Sequence, residues 1–272
     1  MKLSDEERKI IQVDEIKILK EFDKICRKYD IKYTLAAGTM IGAVRHHGFI
    51  PWDDDIDVYV LRNDFNRIRE IFPKELPKSL FYQSHFTDKE YYYLFDKIRL
   101  NNTIFKETYL ANHHINHGVF IDIFPIDSIS DNKIKNSIQF YYYTFFKLGL
   151  MSKYVNINAR KGRKKYIAKI LRILYSGFNL DFLYNKCERI AQAQDNNKTK
   201  YVRNLNSLGS DGMKETYKRY AFMNLELVNF EKEKFYMSKD YDAMLKTIYG
   251  NYMKLPPKSE QITRHDLAEL KL

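Results

Sequence analysis

Residues 35–60 read LAAGTMIGAVRHHGFIPWDDDIDVYV, and this stretch decides the fold. It places Asp53, Asp54, Asp55 and Asp57 within five positions. Ile56, Val58 and Val60 alternate with Asp55, Asp57 and Tyr59, which predicts a half-buried strand. On a strand, Asp53, Asp55 and Asp57 share one face and Asp54 points away, while Ile56 and Val58 anchor the segment in the core. Just upstream, 33–36 reads as a short buried strand ending at Gly38-Thr39, and 40–45 as a short helix. Small residues at such a turn let backbone N–H groups and a helix N-terminus approach a phosphate.

Clustered carboxylates repel one another and resist desolvation. A divalent cation cancels both costs. Mg²⁺ usually takes one or two carboxylates plus substrate phosphates, and two such ions can clamp an in-line phosphoryl displacement. An acidic run standing alone is more often a solvated turn. The alternation with Ile and Val, and the Gly-Thr turn upstream, weigh against that here. A second acidic strand adds support. FIDIF at 120–124 sets Asp122 among apolar residues, a costly position unless the carboxylate is paired, metal-bound or caps buried backbone.

Further out, the chain is an ordinary globular one. It has 272 residues, 44% of them hydrophobic and 30% charged, enough for one large domain or a domain with a helical appendage. With 46 Lys and Arg against 35 Asp and Glu the net charge is +11, which suggests an anionic partner without choosing it. Cys26 and Cys187 are the only cysteines, which excludes a disulfide framework and a Cys-based zinc module. The first eight residues are charged, and no run reaches the length of a membrane span. These features predict a soluble cytoplasmic protein.

Ser4 and Glu7 form a capping-box pattern, followed by a helical stripe of Val13, Ile16, Leu19, Phe22, Ile25 and Tyr29. A helix is expected over 63–72, up to Pro73, and strands over 91–100 and 117–124. After Pro125, residues 131–198 read as two or three helices. Alternation around 230–236 predicts a hairpin, and 240–249 a short helix stopped by Gly250. The expected domains are a catalytic core at 1–130, a helical insertion at 131–200 and a C-terminal part, 201–272, completing the core.

A Gly-small turn, an Asp-Ile-Asp pair and a lone strand Asp together resemble the polymerase-β type of nucleotidyltransferase superfamily. More closely, AGTMIGAVRHHGFIPWDDDIDV at 37–58, FDKIRLNNT at 95–103, GVFIDIFPID at 118–127 and YGNYMKLPP at 249–257 resemble the LicD family, which includes the fukutin-type proteins. The family's usual Gly-Gly is Ala37-Gly38 here, and its Met-Pro-Arg after the Asp strand is Val60-Leu61-Arg62. The resemblance implies an α+β nucleotidyltransferase-like fold, with a mixed sheet, flanking helices and a helical insertion. It implies a phosphotransferase moving a phospho-alcohol, most readily phosphocholine from CDP-choline, onto a sugar hydroxyl of a glycan or lipid-linked glycan and releasing CMP. Surface lipopolysaccharide, teichoic acid and capsule are acceptors of that class. It implies Mg²⁺ or Mn²⁺ on Asp53, Asp55, Asp57 and Asp122, with Asp55, Asp57 and Asp122 catalytic and Asp122 either a ligand or the base. Gly38 and Thr39 would contact phosphate, and Arg45, Lys97 and Arg99 would neutralise the leaving nucleotide, unless they are salt bridges to the acids.

Other residues carry less. His113, His114 and His117 fit a loop as well as a metal, His46-His47 shape the loop after Arg45, and His265 sits in a charged tail. Trp52 either packs or stacks on a base. The segment 160–175 is basic, with Ile167, Ile170, Leu171 and Leu174 on one face. It is either a packed helix with a solvated basic side or a peripheral contact with anionic lipid at the inner face of the cell membrane. Two rival functions remain. One is transfer of a whole nucleotide on the same scaffold. The other, a basic nucleic-acid-binding protein, leaves four clustered acids unexplained.

Overall fold

The computed structural model describes residues 3–160, 162–194, 198–207 and 211–272. Lys161 of the basic segment lies outside them. Helix α1 (Asp5–Lys28) opens with the expected capping box: Glu7 N–H donates to the Ser4 hydroxyl at 3.1 Å, and Ser4 N–H to the Glu7 carboxylate at 2.8 Å. Its buried face is rotated from the expected stripe. Val13 is exposed, whereas Ile11, Glu15 and Ile18 are buried with Leu19, Phe22 and Ile25. Neighbouring stripes of one helix overlap, and the sheet beneath decides which is covered.

The chain continues through β1 (Tyr33–Leu35), α2 (Ala37–His46), β2 (Asp57–Leu61), α3 (Arg62–Glu75), β3 (Leu80–Gln83), β4 (Asp96–Leu100), β5 (Ile104–Glu107) and β6 (Phe120–Ser128). Three helices follow: α4 (Lys133–Tyr154), α5 (Gly162–Leu174) and α6 (Leu180–Ala191). The last stretch holds β7 (Tyr201–Arg203), α7 (Asp211–Lys214), β8 (Thr216–Lys218), β9 (Leu225–Phe230), β10 (Glu233–Ser238), α8 (Tyr241–Tyr249) and β11 (Leu267–Lys271). The expected hairpin is β9–β10, and Gly250 ends α8 with φ 61°.

The main sheet is mixed, in the order β1-β2-β6-β4-β3, with β7 and β8 continuing from β6. Among the described strands only β2 and β6 run parallel; β1, β4 and β7 pair antiparallel with their neighbours. Ile56, Val58, Val60, Ile98, Ile121 and Ile123 belong to one buried core with Phe22, Phe65 and Phe72 from α1 and α3. Residues 202–267 contribute Val202, Tyr217, Phe230, Phe235 and Leu267 to that same core. A second core gathers Phe140, Phe146, Leu150, Leu183, Tyr184 and Cys187 from α4 and α6.

Several boundaries differ from the sequence reading: α2 starts at Ala37, so Gly38 and Thr39 lie in its first turn and not between strand and helix. The acidic strand starts at Asp57, because Asp53 N–H donates to Ile50 O at 2.9 Å in a turn after Pro51. The strand expected from residue 91 starts at Asp96, because Tyr91 closes a turn onto Asp88 O. α3 runs through Pro73 to Glu75; the proline removes one helical bond, to the carbonyl of Arg69, and the helix ends two residues later. β6 runs through Pro125 to Ser128. Asp122 N–H donates to Ile56 O, so by alternation the N of Pro125 faces the other side, between the last β4 pair at Ile123 and the first β7 pair at Asp127.

Candidate active site

Strand register builds the site. Asp57 on β2 stands opposite Asp122 on β6, and Asp122 opposite Lys97 on β4. Residues in register share a face, so two carboxylates and an ammonium lie in one row. The parallel pairing of β2 with β6 therefore brings together acids that are 65 positions apart in the chain. The Thr39 hydroxyl accepts from Asp57 N–H at 2.8 Å and fixes the start of β2 against α2.

A cavity of about 520 Å³ opens at the Asp57 end of this row; Asp122, buried behind Asp57, does not line it. Asp53, Asp55 and Asp57 line one side with Ala37, Gly38, Arg45 and Trp52. Tyr249, Asn251, Tyr252, Lys254, Pro256 and Arg264 line the other. Asp54 does not line the cavity; it is buried, with its carboxylate 3.2 Å from His265 Nδ1. A methyl group on Gly38 would come 2.8 Å from Asp53 Oδ2, so only glycine lets the helix start this close to the acid. Ala37 beside it has φ 43°, a left-handed conformation that strains an alanine by about 1 kcal/mol.

Of the residues expected to bind phosphate, Gly38 and Arg45 reach the cavity. Arg45 also donates to Tyr252 O at 2.6 Å and so ties α2 to the far wall. The other three do not line it. Thr39 is buried and holds Asp57 instead. Lys97 is buried 2.7 Å from Asp122 Oδ1 and over the Phe120 ring. Arg99 is fully buried and donates to Gln83 Oε1 and Gly118 O. Both cations thus support the acids and the sheet. The exposed cations on the cavity wall are Lys254 and Arg264. Lys254 falls inside the YGNYMKLPP block, but nothing local marks it as facing an acidic strand two hundred residues earlier.

His265 is the residue the sequence hid best. β11 pairs antiparallel with β5, placing Leu267 opposite Glu107. This inserts His265 between Asp54 and Glu107, edge-on to Phe105 and Phe120. Burial would lower its pKa, but Asp54, Asp55 and Glu107 outweigh burial and push it up to about 9. Glu15 on α1 is a further buried carboxylate, and Oε2 has no hydrogen-bond partner. His113 and His117 serve the fold: their rings bond to Tyr154 O and His113 O.

The acids are held under electrostatic stress. Burial, then Asp55 and Asp54, push Asp53 up to about 8. Burial, then Asp55, Asp122 and Asp53, hold Asp57 well above the ordinary carboxylate range. Asp54 Oδ2 is buried without a hydrogen-bond partner, whereas Asp122 Oδ1 is met by Lys97. Among the described residues, Asp53, Asp54 and Asp55 offer ligand oxygens within 4.8 Å of one another. Since Asp54 is engaged by His265, the cavity-facing set is Asp53, Asp55 and Asp57. Hard oxygen donors with unmet charge fit a divalent cation.

The sign of the pH dependence follows. A folded-state value above the unfolded one means that the folded protein binds more protons between 3.8 and about 8. Asp53 therefore costs the metal-free protein stability as pH rises through that window. A bound cation replaces those protons. Mg²⁺ or Mn²⁺ at 100-fold saturation is expected to raise Tm by about 5 °C at pH 8, and by less at pH 6. In Asp53→Asn the shift should lose most of this pH dependence. Thermal unfolding with and without the cation checks this; equal shifts at the two pH values in the wild type would count against it.

Residues 30–151 match the family model described as LicD/FKTN/FKRP, nucleotidyltransferase domain. Over 259 residues, 92% of each chain, the sequence is 29% identical to the lipopolysaccharide cholinephosphotransferase LicD of Haemophilus influenzae. Uncharacterized proteins of Rickettsia prowazekii and Rickettsia typhi are each 36% identical over 78 residues, 26% of this chain and 29% and 25% of theirs. The matched span contains the whole run from Asp53 to Asp57, Asp122 and its Lys97 partner. The acid row thus lies within the span similar to the LicD/FKTN/FKRP nucleotidyltransferase domain, and over nearly its whole length the chain is similar to a cholinephosphotransferase of the LicD type.

Proposed function

We propose that this chain transfers phosphocholine from CDP-choline to a hydroxyl of a cell-surface glycan precursor, releasing CMP, with the help of Mg²⁺ or Mn²⁺. The observation that carries the reading is the two-sidedness of the cavity. Half-buried acids with unmet charge stand on one wall, and Lys254 and Arg264 on the other. A diphosphate with its cation complements both. The relationship to a cholinephosphotransferase supports the transferred group.

Asp55 and Asp57, with Asp53, would hold the cation. Bound there, it supplies Lewis-acid charge for the diphosphate and the departing nucleotide. Arg45, Lys254 and Arg264 take up the remaining phosphate charge. Trp52, Tyr249 and Tyr252 offer π faces for the quaternary ammonium of choline. In the transfer, the acceptor oxygen bonds to the phosphorus bearing choline, and the P–O bond to CMP breaks. The hydroxyl proton passes to a carboxylate of the cluster. We assign Asp122, which stands beside Asp57 and is oriented by Lys97. Burial raises its proton affinity above that of an ordinary carboxylate, against the pull of Lys97, as a base near neutral pH requires.

A donor screen tests this. With Mg²⁺ present, CDP-choline is expected to raise Tm more than CDP-ribitol, CDP-glycerol or CTP, and incubation with acceptor glycan to release CMP. A response to another CDP-alcohol and none to CDP-choline would reassign the donor. Label transfer from the nucleotide of CTP to the acceptor would overturn the reaction class.

A further inference from the structure

The net charge of the chain has one address. Residues 133–180 contain eleven of the 46 Lys and Arg and none of the 35 Asp and Glu. The other 224 residues therefore carry 35 of each and are neutral, so the whole +11 sits on this segment. It is the segment that forms α4 and α5.

α5 is turned inside out relative to an ordinary surface helix. Its one fully buried residue is Ala168. At about 100° per residue, Tyr166 and Ile170 lie about 160° round the helix from Ala168, and Ile173 about 140°. These side chains are 68%, 59% and 72% exposed. Of the expected apolar face, only Leu171 packs against the helical core. The flanks of the outward stripe carry Arg163 and Lys169.

α4 presents a matching face. Ile134, Ile138, Tyr141, Tyr142 and Phe145 line a shallow groove of about 680 Å³ with Lys133 at its end. The ring of Phe145 lies 5.1 Å from that of Tyr175, just past α5. The Tyr175 ring packs where a Cβ on Gly149 of α4 would stand. These contacts seat the end of α5 on α4, so the outward stripe of α5 and the exposed apolar face of α4 belong to one packed helical unit.

We propose that this face docks on the surface of an anionic phospholipid bilayer. An outward apolar stripe bordered by cations is what an interfacial helix presents to acyl chains and headgroups. A second copy of this chain would bring another +11 against the first. A nucleic acid would meet the charge and leave the isoleucines in water. The proposal does not depend on which donor the active site takes.

Flotation of the full-length chain with vesicles tests it. Binding to phosphatidylcholine vesicles containing 30% phosphatidylglycerol is expected at 0.1 M NaCl, at least tenfold stronger than to phosphatidylcholine alone, and mostly lost at 0.5 M. Ile170→Glu with Ile173→Glu, and separately Lys164→Glu with Lys169→Glu, should each weaken it at least tenfold. These side chains are exposed, so helix content and transfer to a soluble acceptor should stay at the wild-type level. Flotation indifferent to phosphatidylglycerol, or unchanged in both variants, would overturn the proposal. So would a concentration-dependent dimer in sedimentation that Ile170→Glu with Ile173→Glu dissolves while the wild type ignores vesicles.

Discussion

Asp57→Asn is expected to lower kcat by about 10³-fold, since a cation-binding carboxylate in phosphoryl transfer carries several kcal/mol and each factor of ten is about 1.4 kcal/mol. The shape of the side chain is kept. Its backbone anchor is kept as well, because the bond from Asp57 N–H to Thr39 does not involve the carboxylate. What is lost is one negative charge facing the cavity between Asp55 and Asp122. The same charge destabilises the metal-free fold, because burial and three neighbouring acids oppose its ionisation. The variant should therefore be at least as stable as wild type without metal at pH 8, while its cation-induced Tm shift falls. This combination separates a site carboxylate from a structural one. Asp54→Asn is the contrast: it breaks the contact with His265 and should lose stability. Measuring kcat, KM and Tm on the purified variants decides the matter, and activity of Asp57→Asn within tenfold of wild type would remove it from the site.

What could be read from the sequence was what is local. Asp55 to Val60 announces which acids share a face, because the two-residue period of extended chain is written in consecutive positions. The Ser4–Glu7 cap and the Gly250 stop are equally local. Register between strands is not. Lys97 and Arg99 look like phosphate clamps until β4 is paired with β6, which sets Lys97 opposite Asp122. A cation's charge does not say whether it faces a ligand or quenches a buried acid. His265 is further still from legibility, since it reaches Asp54 only through the pairing of β11 with β5. In α5 the apolar stripe was visible but its direction was not, for periodicity fixes a face and leaves open whether core or solvent receives it.

Arg62→Met is expected to cost about 3–5 kcal/mol, the usual result of leaving a buried charge without its partner. Arg62 on α3 is 2% exposed and donates to both oxygens of Asp127 on β6, which is 0% exposed, at 2.5 and 3.1 Å. It also lies 3.3 Å from Glu188 on α6. Arg69, one face of α3 further on, joins Glu188 at 2.8 Å and Asp96 on β4 at 2.7 Å. Burial alone would raise the pKa of Glu188, yet the two arginines outweigh it and hold it low. Helix α6, whose apolar residues belong to the second core, is thus fastened to the catalytic sheet through charges. Met matches the length of the arginine stem but strands Asp127 in the interior. Tm should fall by about 10 °C, at 2–4 °C per kcal/mol for a chain approaching this size. Arg62→Lys should rescue little, because a single ammonium cannot span Asp127 and Glu188 as the guanidinium fork does. Adding Asp127→Leu to Arg62→Met should restore part of the loss, since the buried acid is then gone along with its partner. A double variant no better than Arg62→Met alone would show that packing of the stem, and not the stranded carboxylate, carries the cost.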